Sequence, residues 1–397
     1  MSKIASAEHR QRVAALQAKV TEHGYDVFLV SSRENIFYLT GVVCHPLERP
    51  LFVLIWRDGS PCFLLPALEA EHIRETADND HVESYWEYPA PPGQGWADRL
   101  REMLGGATNI GIEPSLRAEI SDGLGEVSLR PMPLIEQLRV VKSPAEVEMI
   151  RRAASCAELG IKRLLAASYY GSWVVEGFVE TRTVMKRIIR ESDNFNPLLT
   201  KVLMGTWAGP RSARPHSIPK LDDRLLEGPH VGLALTTFDG YAAECERTYF
   251  TARPAAEVCQ AFDAMLEARR IAFGMVRPSV PCGDIDAAVK EFLAKEGYAD
   301  KRLHRTGHGI GIAYHAETPW LAEGSDEVLA AGMVASIEPG IYLPGIGGLR
   351  HSDTVLVTED GYESLTQHSI ELEKLTITSW KPFARLKGML VRRSLGC

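Results

Sequence analysis

The sequence offers little to crosslink: its seven cysteines, at 44, 62, 156, 245, 259, 282 and 397, are an odd number, and no C-x-x-C occurs. That excludes a disulfide scaffold and a zinc knuckle and suits a reducing cytoplasm. Also missing is any run of about 18 consecutive apolar residues, so no membrane span is expected. The opening MSKIASAEHRQRVAALQAKV is a charged amphipathic stretch without the apolar centre of a signal peptide. Nor is there an excess of basic charge: 44 Lys plus Arg against 52 Asp plus Glu give a net charge of -8, which argues against a nucleic-acid partner. The one basic concentration lies between Trp380 and Cys397, where Lys381, Arg385, Lys387, Arg392 and Arg393 occur without an acid. It reads as a solvated or frayed terminus.

What is present suits a chain folded throughout. Apolar residues make up 45% and charged residues 24%, an ordinary balance for packed domains. With 397 residues the chain exceeds what one core usually serves, so two domains are expected. Val13, Leu16 and Val20 recur at helical spacing before Gly24, and Val27–Val30 follows as a strand. Leu51–Trp56 and Cys62–Leu65 flank Asp58-Gly59 as a β-hairpin. Ser143-Pro144-Ala145-Glu146 is a capping box that should start a long helix, with a second helical stretch over Val174–Glu191. Another Asp-Gly turn, Asp239-Gly240, joins Val231–Thr237 to Tyr241–Thr251. Helices are expected over Ala255–Met275 and Asp284–Glu296. Short strands such as Met333–Ile337 and Thr354–Val357 belong to a Gly- and Pro-rich region suited to bending around a pocket.

Three places carry candidate chemistry. Glu244 and Glu246 stand two apart, hence on one face of a strand. A solvated face is the plain alternative, but the apolar flanks Ala242, Ala243, Tyr249 and Phe250 imply a partly buried strand that needs a cationic partner. His304, His308 and His315 fall within HRTGHGIGIAYH, where glycines leave the backbone open to a ligand and histidine is both a common metal ligand and the usual general base. Glu338 ends an apolar strand just before a turn, a position from which α/β proteins present reactive groups, although it could instead cap the turn at Gly340.

The runs TTFDGYAAECERTYF, HRTGHGIGIAYHAETP and SIEPGIYLPGIGGLRHSDTVLVTEDG together resemble the creatinase and aminopeptidase P superfamily, the pita-bread fold. LRVVKSPAEVEMIRRAA is similar to that family's interdomain junction and NIFYLTG to its smaller N-terminal domain. The resemblance implies an α/β (α+β) chain with an N-terminal creatinase-type domain over residues 1–138. A pita-bread catalytic domain, a curved antiparallel sheet with covering helices, follows over 139–379, and the basic tail over 380–397.

The metallopeptidase branch of that family holds two metal ions on two Asp, one His and two Glu. Here the first Asp position holds Leu233, the second holds Glu244, and the last Glu position holds Ser352, while His308 and Glu338 match. The charge that keeps two divalent ions together is therefore reduced. The metal-free creatinase branch fits the remaining residues: its catalytic His falls on His216 in SARPHSIP, and its substrate-binding glutamates fall on Glu246 and Glu338. His308 joins the catalytic set, and Arg49, His304, His315, Arg350 and Glu244 form the substrate-binding set. Arg49 stands where that branch's N-terminal domain sends an arginine into the partner's site.

These residues lead to the expectation of a creatinase-like, cytoplasmic, homodimeric hydrolase. It would cleave a carbon–nitrogen bond of a small guanidino, amidino or amide compound without metal or other cofactor, His216 acting as acid and base. Two carboxylates held together favour a cationic, N–H-rich substrate. Pro319 and Trp320 stand where that branch grips a substrate carboxylate with Arg, so creatine itself is not assigned. One alternative is a single-metal Xaa-Pro aminopeptidase or dipeptidase using Glu244, His308 and Glu338. The other is a non-catalytic binding protein of the same fold.

Overall fold

The computed structural model describes residues 4–45, 47–77, 81–125, 127–193, 195–315 and 317–396. Cys397 and Ala316 of the HAETP run lie outside the described residues. The chain divides into two units, Lys3–Arg139 and Val140–Cys397.

The N-terminal unit runs α1 (Ser6–Glu22), β1 (Val27–Val30), α2 (Arg33–Thr40), β2 (Phe52–Trp56), β3 (Cys62–Pro66), α3 (Ala70–Thr76), β4 (Val82–Tyr85), α4 (Trp96–Leu104), β5 (Ile110–Ile112), α5 (Ala118–Leu124), β6 (Leu129–Pro131) and α6 (Leu134–Arg139). Its six strands form one mixed sheet in the order β4-β3-β2-β1-β5-β6. The unbroken apolar runs of its central strands close a core around Leu29, Phe52, Leu54, Leu64, Leu100 and Ile120. The β2–β3 hairpin forms where Asp58-Gly59 leads the sequence to expect it.

The C-terminal unit opens with α7 (Pro144–Ala167), whose cap is the expected box: the Ser143 hydroxyl accepts from the Glu146 amide and the Glu146 carboxylate from the Ser143 amide. The expected second helix is broken into α8 (Val174–Phe178) and α9 (Thr181–Glu191). Then come β7 (Val202–Trp207), β8 (His230–Phe238), β9 (Tyr241–Tyr249), α10 (Ala256–Met275), α11 (Cys282–Lys295), β10 (Gly307–Gly309), β11 (Glu317–Leu321), β12 (Val334–Ile337), β13 (Gly340–Leu343), β14 (Gly347–Arg350), β15 (Ser352–Val357), β16 (Tyr362–Ser364), α12 (Leu372–Leu375) and α13 (Pro382–Leu395). Eight strands form an antiparallel sheet, β11-β10-β12-β15-β9-β8-β7 with β16 on β15, while β13 and β14 pair separately. This is the two-domain α/β, pita-bread architecture expected of the resemblance.

Local chemistry explains the hairpin at the sheet's centre. Asp239 and Gly240 both take positive φ, 47° and 87°, as a two-residue turn between twisted strands requires. Gly160 lets α7 lie directly on β8, since a Cβ there would sit 2.6 Å from that of Ala234. On another side α10 and α11 build a core with Phe250, Ile337, Ile341, Leu349 and Val355.

The expectation of a frayed basic tail is corrected here. Glu176 and Glu180 are buried and need cations; Arg392 pairs with the first and Lys387 with the second, while Lys381 donates to the carbonyls of Leu165 (2.7 Å) and Ser168 (3.1 Å). These partners fix the tail as a helix. Among the described residues no helix is long and apolar enough to cross a membrane, and the six described cysteines are free.

His230 on β8 is fully buried, and burial pushes its imidazole down from 6.5 to about 4. The folded state therefore binds fewer protons than the unfolded one, and stability is lost progressively as pH falls from 6.5 through about 4. Thermal unfolding across this window should show His230 contributing about 3 kcal/mol of pH dependence, and His230→Gln should flatten that part of the profile.

Candidate active site

Sheet register decides which side chains meet. Glu246 pairs with Leu233 across the hairpin and with Ser352 on β15; Thr354 pairs with Ser336 on β12, and Ser336 with His308 on β10. Directly opposed residues share a face in an antiparallel sheet, so His308, Ser336, Ser352, Glu244, Glu246 and Leu233 all project from one side. The alternate positions, Arg247 and Asp353, project from the other.

On the first face β9 is buried along its whole length, so neither acid is a solvated surface group. Glu244 is held by two serine hydroxyls: Ser336 Oγ donates to its Oε1 at 2.5 Å and Ser352 Oγ at 2.9 Å. The two hydroxyls also lie 2.7 Å apart, and each has a single proton, so both donate to Glu244 only when neither donates to the other. Ser352, which the sequence presents as the loss of a metal ligand, is thus an anchor for Glu244.

Glu246 faces Arg350. The Nη2 of Arg350 donates to Glu246 Oε1 at 2.6 Å, its Nε pairs with Oε2, and the same Nε lies 3.7 Å from Glu338 Oε2. The other arm, Nη1, donates to the Tyr342 hydroxyl at 3.2 Å. His304 Nδ1 lies 2.7 Å from a carbonyl, which can only accept, so that nitrogen carries the proton and Nε2 takes the Tyr342 hydroxyl proton at 2.7 Å. Burial lowers the His304 imidazole, consistent with this neutral tautomer.

Three buried carboxylates against one guanidinium leave two negative charges when all are ionised. Burial first, and then Glu338 and Glu244, raise the Glu246 carboxyl to about 8 against the pull of Arg350. Burial also opposes ionisation of Glu338, but Arg350, His304, His308 and His315 together outweigh it and hold that carboxyl below its usual range.

His308 is fully buried, and its Nδ1 donates to the Gly309 carbonyl at 2.9 Å. The Nε2 lone pair therefore points toward two carboxylate oxygens, Glu338 Oε1 at 3.6 Å and Glu244 Oε1 at 3.8 Å, and has no hydrogen-bond partner. A lone pair facing two anions is repulsive until a cation or a proton enters between them. His315, whose ring lies 4.2 Å from that of His308, brings a ligand atom so that His308, His315 and Glu338 all fall within 4.8 Å of one another. Nitrogen and oxygen donors at such spacings match metal bonds of about 2.0 to 2.2 Å. One divalent ion fits. A second does not, because Leu233 is apolar and Ser352 neutral.

The structure gathers seven of the nine residues singled out in the sequence: Glu244, Glu246, His304, His308, His315, Glu338 and Arg350. His216 stands on an exposed turn at the edge of this group, its ring 6.1 Å from that of His315. Arg49 belongs to the N-terminal unit, where it pairs with Glu87 and, at 3.4 Å, with Glu48. Sequence reasoning missed Ser336 and Tyr342, although Ser336 stands two residues before Glu338 and so on the same side of the chain.

Behind the site, the buried Asp353 binds the buried Arg247 at 2.8 Å and the partly exposed Arg269 of α10 at 2.6 Å. Arg247 also donates to the carbonyls of Ser352 (3.0 Å) and His368 (2.7 Å). This cluster ties β9, β15 and α10 together under the carboxylates.

Comparison with known proteins agrees on this half of the chain and the other. The profile of metallopeptidase family M24 matches residues 148–359, and that of the creatinase/prolidase N-terminal domain matches residues 12–141. The chain is 31% identical over 375 residues to the putative dipeptidase YkvY of Bacillus subtilis, covering 91% of this chain and 99% of that one. Dipeptidase PepE from Mycobacterium ulcerans superposes with a TM-score of 0.81 at 29% identity, covering 95% and 100% of the two chains. The prolidase from Pyrococcus horikoshii gives 0.77 at 26%, covering 91% and 99%.

These relatives overturn the expectation of a metal-independent, creatinase-like amidinohydrolase, because the chain stands among dipeptidases and prolidases. The physical reason is on the sheet face: the acids taken as a grip for a guanidinium already hold one, that of Arg350, and the remaining charge gathers around the bare His308 nitrogen.

Asp353→Asn should leave the buried Arg247 and the partly buried Arg269 short of their counter-charge, costing about 3 to 5 kcal/mol in urea unfolding.

Proposed function

Because the chain belongs to metallopeptidase family M24, we propose that it is a hydrolase of the peptide carbon–nitrogen bond in a small, dipeptide-like substrate, working with one divalent ion. The observation that carries this reading is the unpartnered His308 Nε2 between Glu244 and Glu338. His308 and Glu338 would hold the ion, with Glu244 and His315 on either side to complete its ligands. Such an ion supplies Lewis-acid polarisation of a carbonyl and a more acidic bound water.

The protein's own groups provide the rest. Arg350, forked between Glu246 and Glu338 and braced by Tyr342, keeps Glu338 ionised as an acceptor and fixes its direction. Glu246, whose carboxyl is raised to about 8 by burial and its acidic neighbours, is in its ionised form a strong enough base to take a proton from an attacking water. His216, at the open edge, is suited to return a proton to the leaving amine. The anionic centre also favours a substrate that brings a positive charge, as the ammonium group of a free dipeptide does.

The test is elemental analysis joined to a dipeptide screen that includes Xaa-Pro peptides. Wild type should carry one ion per chain and lose cleavage on chelation, His308→Ala should carry none, and Glu246→Gln should keep the ion but lose about 10² to 10⁴ in kcat. Full dipeptide cleavage by chelated, metal-free protein would contradict the proposal.

A further inference from the structure

A buried ion pair outside the carboxylate centre stands beside the histidine loop. Lys142 lies at the start of the C-terminal unit, and its Nζ donates to Glu317 Oε2 at 3.1 Å and to the Val140 carbonyl at 3.2 Å. Both side chains are buried. Their backbone is held as well: the Lys142 amide donates to the Gly332 carbonyl at 2.9 Å, and Glu317 pairs with Gly309 at the head of β11. Taking two charges out of water costs about what their attraction returns, so such a pair adds little stability over apolar residues of the same size. Its consequence lies in the second oxygen of the acid.

Glu317 Oε1 accepts from the Ala313 amide at 2.9 Å, so the carboxylate closes the loop 313–317 around His315. Residues 311–315 form neither helix nor strand, and connecting segments of this kind are the mobile parts of a fold unless they are tied down. Two anchors do so here. The Gly311 carbonyl accepts from the Ala242 amide of β9 at 2.8 Å, and the Ala313 amide is tied to Glu317. Gly311 has to lack a side chain, since a Cβ there would run into the Glu317 carboxylate. His315 then stands with its ring 4.2 Å from that of His308 and its ligand atom grouped with those of His308 and Glu338.

We infer that Lys142 and Glu317 are positioning residues for His315: the lysine aims the carboxylate, and the carboxylate, by holding the Ala313 amide, sets the imidazole against His308. Lys142 supplies the counter-charge that a carboxylate out of reach of water needs. For its consequence the inference rests on the proposed one-ion hydrolase, because groups that orient metal-binding side chains typically govern affinity by about 10- to 100-fold. It adds to that reading two residues that touch neither ion nor substrate, one of them in the segment by which the chain enters this unit.

Magnetic resonance of ring-labelled histidine in the chelated, full-length protein tests the positioning with no ion present, the two signals being those lost in His308→Ala and His315→Ala. In wild type a nuclear Overhauser contact should join the His308 and His315 rings. Lys142→Met/Glu317→Leu removes both charges at similar volume and should keep the unfolding midpoint yet lose that contact. Lys142→Met/Glu317→Gln, which restores an acceptor for the Ala313 amide, should regain it. Lys142→Arg/Glu317→Asp keeps the charges but draws the carboxylate back from the amide; it should lose the contact too, and carries the test if the apolar pair does not fold. The inference fails if the contact is absent from wild type or survives in a folded Met/Leu or Arg/Asp variant. Cobalt(II) titration reads the consequence: Lys142→Met/Glu317→Leu should bind about 10- to 100-fold more weakly, and adding His315→Ala should weaken binding no further. Additive losses would overturn the role. Absence of cobalt binding in wild type, with the ring contact dependent on Glu317, would remove the one-ion reading and leave the positioning intact.

Discussion

The C-terminal unit is organised around three carboxylates buried on one sheet face with a single guanidinium among them. Glu244, Glu246 and Glu338 cannot all be ionised in a dry interior unless something offsets their charge. Arg350 offsets part of it by bonding Glu246 and approaching Glu338. Two serine hydroxyls solvate Glu244 in place of water. What is left falls on His308, whose Nδ1 is committed to a carbonyl and whose Nε2 is bare. The proposed ion would offset that charge, which connects the fold to the proposed chemistry.

The sheet makes that concentration of charge tolerable by separating it from a second cluster. Because side chains alternate along a strand, Glu246 and Ser352 face the site while their neighbours Arg247 and Asp353 face the core beneath. Asp353 is paired with both Arg247 and Arg269, whereas the face above is left with an acceptor excess. A shift of one residue in register between β9 and β15 would exchange the two sets. The Thr354 hydroxyl guards against it, donating to the Glu244 carbonyl and accepting from the Glu244 amide, both at 2.9 Å.

Much of this was legible in local sequence, and the limits were physical. The Ser143–Glu146 cap and the Asp239-Gly240 turn depend on residues three or fewer apart, and both form as read. The pairing of Glu244 with Glu246 on one face follows from strand period alone. The cationic partner that the sequence called for turned out to be Arg350, some hundred residues away along the chain. Ser336 and Ser352 meet Glu244 only through the order of β12, β15 and β9, which no local signal sets. The tail misleads because the buried Glu176 and Glu180 that receive its cations lie some two hundred residues earlier in the chain. The functional expectation fails for a related reason: Leu233 and Ser352 stand in the sequence as lost ligands, whereas the gathering of His308, His315, Glu338 and Glu244 is visible only in the fold. Relatives that span nearly the whole chain and bear dipeptidase and prolidase names correct it.

The most direct test of a centre built for one cation is a crystal structure grown with zinc, with anomalous differences collected on either side of the metal's absorption edge. The account predicts a single peak per site, about 2.0 to 2.2 Å from His308 Nε2 and from a Glu338 oxygen. Two peaks, or no peak with the His308 Nε2 hydrogen-bonded to a carboxylate, would contradict it.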